Sequence, residues 1–310
     1  MNKLYTPVMF VIFNRLDVTK QVFEEIRKAK PEKLYIVSDC WRDTKPYEKQ
    51  KVLEVRNYVE SNIDWDCIIK KDYAEVNYGC RKRVSSGVSW VLSQEESVIV
   101  LEDDILPSQT FFEYCQNLLE LYKNDEKVMM ISGNNNIKDV IEKEYTFSCF
   151  SGVWGWATWK RAWKYYDDNM SDWPTNRKKG TLKYVMPGPS YLTLRSYFDY
   201  VYRRTLDSWA YVWLYCMCKN NGLGIVPREN LIKNIGFESE DATHTSGKSK
   251  YSFKIGNYDF PLKKISVVKR NQLYDKTYIK KVYPPCEALI SYIVKCCLYI
   301  PRKIKKLGLK

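Results

Sequence analysis

Residues 97 to 115 read SVIVLEDDILPSQTFFEYC, an apolar strand that runs into three consecutive carboxylates, Glu102, Asp103 and Asp104, with an amphipathic helix directly behind. Adjacent negative charges repel, so the arrangement calls for a positive partner. A hard divalent cation with oxygen ligands is one, since magnesium or manganese keeps waters and takes only one or two protein carboxylates. A diphosphate leaving group needs the same neutralisation. One acid could then bind the cation while another, pointing elsewhere, accepts hydrogen bonds from ribose hydroxyls. The alternative is a solvated acidic turn ahead of a helix cap at Ser108.

Four more residues could carry chemistry. Asp39 ends a strand, where a carboxylate could accept the imide N–H of uracil or simply close an Asx turn. Arg15 could grip phosphate with its guanidinium fork or sit on the surface before a helix. His244, the single histidine, lies in the polar stretch DATHTSG, as a cation ligand or phosphate contact or as a solvated loop residue. Asp207, in LDSWAYVW, is a carboxylate among aromatic side chains in a helical stretch. It could serve as a general base, a cap, or the ion-pair partner of Arg203 or Arg204. Other chemistries find no support. The chain has no phosphate-binding P-loop, no glycine-rich dinucleotide turn after its first strand and no nucleophile elbow, and one histidine cannot make a two-histidine zinc motif.

These residues need elements to position them. Val8–Phe13, LYIV (34–37), CIIK (67–70), VIVL (98–101) and VMMIS (128–132) are short apolar strands. Helices are expected between them, with Val18, Val22, Phe23, Ile26 and Ala29 on one face, then over about 46–62 and 80–93, and from Ser108. Such alternation predicts a mostly parallel sheet with helices on both faces, whose ligand lies beyond the carboxyl ends of the strands. Asn14–Arg15, Asp39 and Glu102–Asp104 would meet there. From Ser148 the pattern turns Trp- and Gly-rich. Residues 174–190 read as a loop, a helical stretch runs to about 222, and a strand and loop follow.

The chain has 310 residues and a formal charge of +13, unevenly placed. Residues 262–310 carry 13 Lys and Arg against Asp275 and Glu287, leaving 37 basic against 35 acidic residues elsewhere. The body is nearly neutral and holds no nucleic-acid-binding module, so no nucleic-acid partner is expected. The ten cysteines show no paired metal-ligand spacing. With no leader peptide recognisable and no run near the roughly 20 apolar residues of a membrane span, a reduced, cytoplasmic chain is expected.

In order, PVMFVIFNR, LYIVSDC, SVIVLEDDILPSQTFFEYC, GVWGWATWKRAW, LDSWAYVW and NIGFESEDATHT resemble bacterial sugar transferases related to eukaryotic N-acetylglucosaminyltransferase I, over about residues 5–247. The resemblance implies a GT-A-type, Rossmann-like fold. Residues 1–135 would form the nucleotide-sugar-binding half, 136–261 the acceptor-binding and catalytic half, and 262–310 a basic C-terminal extension with an amphipathic helix. It implies a metal-dependent, inverting hexosyl- or N-acetylhexosaminyltransferase of surface-glycan synthesis, moving sugar from a UDP-sugar to a saccharide or lipid-linked acceptor. Asp104 would be the direct ligand of Mn2+ or Mg2+, with Glu102 and Asp103 near the ribose and sugar. Asn14 and Arg15 would lie against the nucleotide, Arg15 toward the diphosphate, and Asp39 at the uracil edge. Asp207 would be the base, Trp154 and Trp156 part of the sugar pocket, and His244 would close over the diphosphate and metal. Ser208 stands where the eukaryotic enzyme has a second acid, and that enzyme's membrane anchor has no counterpart.

Two other functions compete: a catalytically inactive, membrane-associated scaffold that binds nucleotide-sugar, and a nucleotidyltransferase, which the missing glycine-rich turn disfavours. The tail, with an apolar helix over about Glu287–Ile300 followed by RKIKK, suits the anionic inner face of the cytoplasmic membrane. Docking on the body is the alternative.

Overall fold

Four of the five apolar runs become interior strands because each can bury both faces only inside a sheet covered by helices, whereas CIIK (67–70) leads into an edge strand on which Ile68 and Ile69 are exposed. A computed structural model describes residues 3–137, 139–238 and 255–284. Its first half runs β1 (Val8–Ile12), α1 (Leu16–Ala29), β2 (Lys33–Ser38), α2 (Glu48–Ser61), β3 (Ile68–Tyr73), α3 (Gly79–Leu92), β4 (Ser97–Glu102), β5 (Ile105–Pro107), α4 (Gln109–Leu121) and β6 (Val128–Ser132). Then come β7 (Tyr145–Ser148), β8 (Trp156–Trp159), α5 (Lys160–Trp163), α6 (Trp173–Lys179), α7 (Ser190–Tyr202), α8 (Trp209–Lys219), β9 (Leu223–Pro227), β10 (Ile232–Asn234) and α9 (Gln272–Val282).

Eight strands form one mixed sheet in the order β3-β2-β1-β4-β8-β6-β9-β7. β3, β2, β1 and β4 are parallel, as are β6 and β9, while β8 and β7 run antiparallel to their neighbours. This is the mostly parallel, Rossmann-like α/β sheet expected of a GT-A-type fold. The chain steps outward from β1 to β3, then returns through α3 to β4 on the other side of β1. Right-handed crossovers therefore place α1 and α2 on one face and α3 on the other. Packing agrees: α1 touches α2 and α4, whereas α3 touches α5 and α8. The order reverses between β1 and β4, and that switch point is where such sheets open a crevice.

Three local expectations need correction. The helical stretch to about 222 is two helices, α7 and α8, separated at residues 203–208, where Arg204 adopts a left-handed backbone (φ 60°). Asp207 thus lies in the turn before α8 and not in a helix. Residues 174–190 are not all loop: α6 occupies Trp173–Lys179, ended by Gly180, and a 3-10 turn follows over Thr181–Tyr184. The Trp-rich segment contributes β8, hydrogen-bonded on both sides and fully buried.

Residues 262–284, the start of the expected extension, pack into the body. The Leu262 N–H donates to Asn117 Oδ1 (3.2 Å), the Tyr145 hydroxyl to the Lys263 carbonyl (2.9 Å), and the Ser190 hydroxyl to the Tyr283 carbonyl (2.7 Å). The predicted tail helix and its basic cluster lie outside the described residues. Among those residues no helix is long and apolar enough to cross a membrane. The seven described cysteines are free thiols.

Candidate active site

β1 and β4 pair with Val11 opposite Glu102, so the residues beyond each strand end side by side at the switch point. Beyond β1 stands Arg15, ahead of the first turn of α1. Its guanidinium bonds the carboxylate of buried Asp103 and lies 3.1 Å from Asp104 Oδ2. Arg15 is the counter-charge the sequence demanded, but one guanidinium faces three acids. The excess shows in their ionisation: burial, then repulsion from Asp104 and Asp103, pushes the Glu102 carboxyl up to about 8. Asp103 is raised as well, by burial first, with Arg15 opposing. Its Oδ2 is buried with no hydrogen-bond partner, an atom short of a positive neighbour or a donor.

The crevice has a wall that the motif reading did not supply. β5 follows the triplet directly and pairs antiparallel with β10, and the Ile235 N–H donates to the Asp104 carbonyl (2.8 Å). The next residue, Gly236, passes so close that a β-carbon there would stand 2.3 Å from Asp104 Oδ2 and 2.8 Å from Arg15 Nη1. Phe237 meets Trp154 edge to face at 5.7 Å. Trp154 therefore belongs to the same wall. His244 lies outside the described residues.

The opposite side is the start of α3. Asp39 Oδ1 accepts the N–H groups of Cys40 and Tyr78 (2.9 Å each), and Oδ2 accepts that of Gly79 (2.9 Å). Asp39 is thus a buried cap that satisfies orphan donors of the α3 N-terminus. Gly79, with φ 76°, has room for Asp207 on its other flank: a β-carbon would stand 2.9 Å from Asp207 Oδ2. Next in the helix, the Cys80 thiol is pushed well up by burial and then by Glu102, Asp207, Asp104 and Asp103. That single thiol feels the triplet and Asp207 together, so the fold gathers acids from two separate stretches.

The turn bearing Asp207 is clamped. Buried Arg81, in the first turn of α3, donates from Nε to Asp168 Oδ1 (2.8 Å) and from Nη1 to the Val201 carbonyl (2.7 Å). Arg204 donates from Nη1 to Asp168 Oδ2 (2.6 Å) and from Nη2 to Asn169 Oδ1 (2.9 Å). Asp168 therefore links the helix beneath the site to the turn above it.

Two expected contacts are placed differently. Trp156 is 0 % exposed, stacked on Trp209 (5.1 Å) and against Trp163 (5.9 Å) in the core. It supports the helix that follows Asp207 and presents no surface to a sugar, because β8 is a central strand. Buried Asn14 donates through Nδ2 to Glu48 Oε1 (3.0 Å), and Glu48 also accepts the Arg42 backbone N–H (2.7 Å). Asn14 thus ties β1 to the loop before α2, beside a cavity of about 300 Å³ lined by both residues.

Among the described residues no three His, Cys, Asp or Glu side chains form a closed metal cage. The donor set is nonetheless all oxygen, more acidic than its single guanidinium neutralises, and includes an unpartnered buried carboxylate oxygen. That fits a hard cation that keeps most of its waters, not zinc or a thiolate-bound metal.

No protein-family model matches the chain, and no curated protein matches it. Partial likenesses exist among solved structures. They include a mannosyltransferase, PcManGT, from Pyrobaculum calidifontis in complex with GDP-Man and Mn2+, at 15% identity over 51% of this chain and 45% of that one (TM-score 0.34). S. aureus TarS gives 13% over 50% and 47% (TM-score 0.31), and a UDP-glucose pyrophosphorylase complexed with UDP-glucose 11% over 52% and 79% (TM-score 0.31). The chain thus spans just under half the length of PcManGT and of TarS.

Proposed function

We propose that the chain is a glycosyltransferase that moves a hexosyl or N-acetylhexosaminyl group from a nucleotide-diphospho-sugar, a UDP-sugar, to a hydroxyl of a saccharide or lipid-linked acceptor. The observation that carries this is the acid-rich switch point facing Asp207 across the N-terminus of α3. Asp104 would hold Mn2+ or Mg2+, with Glu102 and Asp103 behind it and His244 as a further ligand. When bound, the cation supplies charge neutralisation for the departing diphosphate. Arg15 adds a guanidinium on the same side, directed at phosphate oxygens. Asp39 holds the base edge, and Trp154 with Phe237 offers an apolar wall to the sugar. Asp207, exposed and seated against Gly79, takes the acceptor proton as the hydroxyl attacks from the face opposite the diphosphate, which inverts the anomeric centre. The tail beyond Pro284 would keep the enzyme at the inner face of the cytoplasmic membrane, near lipid-linked acceptors.

Calorimetry with UDP tests the binding half: heat of binding with Mn2+, none with EDTA and none in Asp104→Ala. Donor hydrolysis across a panel of sugar nucleotides tests the chemistry. Binding that EDTA leaves unchanged would refute the metal role. Donor binding without hydrolysis or transfer, and no effect of Asp207→Asn, would mark an inactive scaffold. Turnover of UTP with a sugar phosphate would mark a nucleotidyltransferase.

A further inference from the structure

The face made by α9 and the chain leading into it is at once basic and apolar. Val267 is 72% exposed and Leu273 63%. In the same segment Lys269, Lys276 and Lys280 are exposed, whereas the one acid of residues 261–284, Asp275, is buried against Arg270 and Ser148. Leu273, Lys276 and Lys280 share one face of α9 at helical spacing. Together with Tyr184, Pro187 and Pro189 they line a groove of about 460 Å³ whose lining contains no carboxylate. The groove is fixed in place. Arg270 donates to the Tyr184 carbonyl (3.0 Å) and the Val185 carbonyl (2.6 Å), and the Ser190 hydroxyl holds the end of α9 through Tyr283.

We propose that this groove and its lysines form the surface on which the folded body rests against an anionic lipid bilayer. Apolar side chains ringed by lysines suit the boundary between headgroups and acyl chains, where the ammonium groups stay among the lipid phosphates. The chain's own tail is a poor occupant: residues 285–310 carry six Lys and Arg against Glu287, so like charges would face each other. A nucleic acid would engage the lysines but leave Leu273, Pro187 and Pro189 against water. The inference extends the membrane part of the function proposed above from the tail to the body, and it does not depend on the transfer reaction.

Co-sedimentation of the full chain decides it, with vesicles of phosphatidylcholine alone and of phosphatidylcholine with phosphatidylglycerol. Binding is expected only to the anionic vesicles and to fall with salt. The double variant Lys276→Gln/Lys280→Gln should bind about 25-fold more weakly, roughly fivefold for each charge, and Leu273→Ser should also weaken it. Unaltered melting and UDP binding in these variants show that the fold and the nucleotide site are intact. Wild-type binding by both variants, with loss only when Arg302, Lys303, Lys305 and Lys306 are changed to Gln, would assign the contact to the tail and overturn the proposal. Equal binding to neutral vesicles, no vesicle binding, or capture of RNA in place of vesicles would overturn it too.

Discussion

Asp207 and Gly79 touch: the carboxylate of one fills the space where the other lacks a side chain, 2.9 Å from the position of a β-carbon. Gly79→Ala would therefore do two things. It would push the carboxylate aside, and it would force an L-residue into φ 76°, at about 1–2 kcal/mol. A misplacement near 1 Å can lower a rate about 100-fold. The expected result is a 10- to 100-fold fall in transfer rate with UDP affinity kept, read by single-turnover kinetics and calorimetry. Wild-type transfer by this variant would show that Asp207 does not act from that seat.

Asp168 touches neither partner of that contact but holds both sides of it, through Arg81 on α3 and Arg204 in the turn. Burial pushes its carboxyl upward, yet the two guanidinium groups outweigh burial and keep it below the usual range. Asp168→Ala would loosen the turn and leave Arg81 Nε buried without its carboxylate, although Arg81 keeps the Val201 and Asp168 main-chain carbonyls, costing about 1–3 kcal/mol of stability. The prediction is a lower melting temperature together with a transfer rate reduced about tenfold at unchanged UDP affinity. A variant that melts earlier but transfers at the wild-type rate would reduce Asp168 to a structural role.

How far the sequence revealed this arrangement differs from residue to residue. β1, β2 and β4 were legible because each holds an unbroken apolar run, whereas β3 (IIKKDY) offered only Ile68–Ile69 ahead of two lysines, and the triplet was legible because acids directly follow β4. The 203–208 turn was not, since YRRTLDSW contains no Gly or Pro and its neighbours are helical on both sides. Ser208 before Trp209 was the available signal, a cap residue ahead of an apolar run. Trp156 misled because a Trp-rich stretch does not say which ring faces solvent, and that followed only from β8 pairing with β4 and β6. Gly79 and Gly236 matter through atoms far away in sequence, Asp207 in one case and Asp104 with Arg15 in the other. No local pattern encodes such contacts.

Arg15 is the sole guanidinium bonded to Asp103 and Asp104 among the described residues. Removing one side of a buried ion pair costs about 3–5 kcal/mol, because the remaining charge stays unpaired. Arg15→Gln should accordingly lower the melting temperature. If a cation sits beside Asp104, MnCl2 should then recover more stability in Arg15→Gln than in the wild type, as it supplies the missing positive charge. Thermal scans with and without MnCl2 measure the difference. Equal shifts in the two proteins would place any bound cation elsewhere.

Glu48 gives the clearest pH dependence. Burial pushes its carboxyl upward, but the Arg42 side chain and backbone N–H outweigh it and set the folded value below the ordinary 4.5. A carboxyl whose folded pKa is depressed adds stability that is fully present above its unfolded value. That stability is lost as pH falls from about 4.5 through the folded value. Glu48→Gln removes the charge but keeps an amide oxygen for Asn14. It should cost about 1.5–3 kcal/mol at pH 7, the usual worth of hydrogen bonds to a charged group. The gap between variant and wild type should narrow once pH drops below the folded pKa, where Glu48 is protonated in both states. Urea unfolding at neutral and acid pH measures both quantities. A gap that stays constant across that range would mean the Arg42–Glu48 pair contributes shape but no charge-dependent stability to the loop that holds Asn14 beside the site.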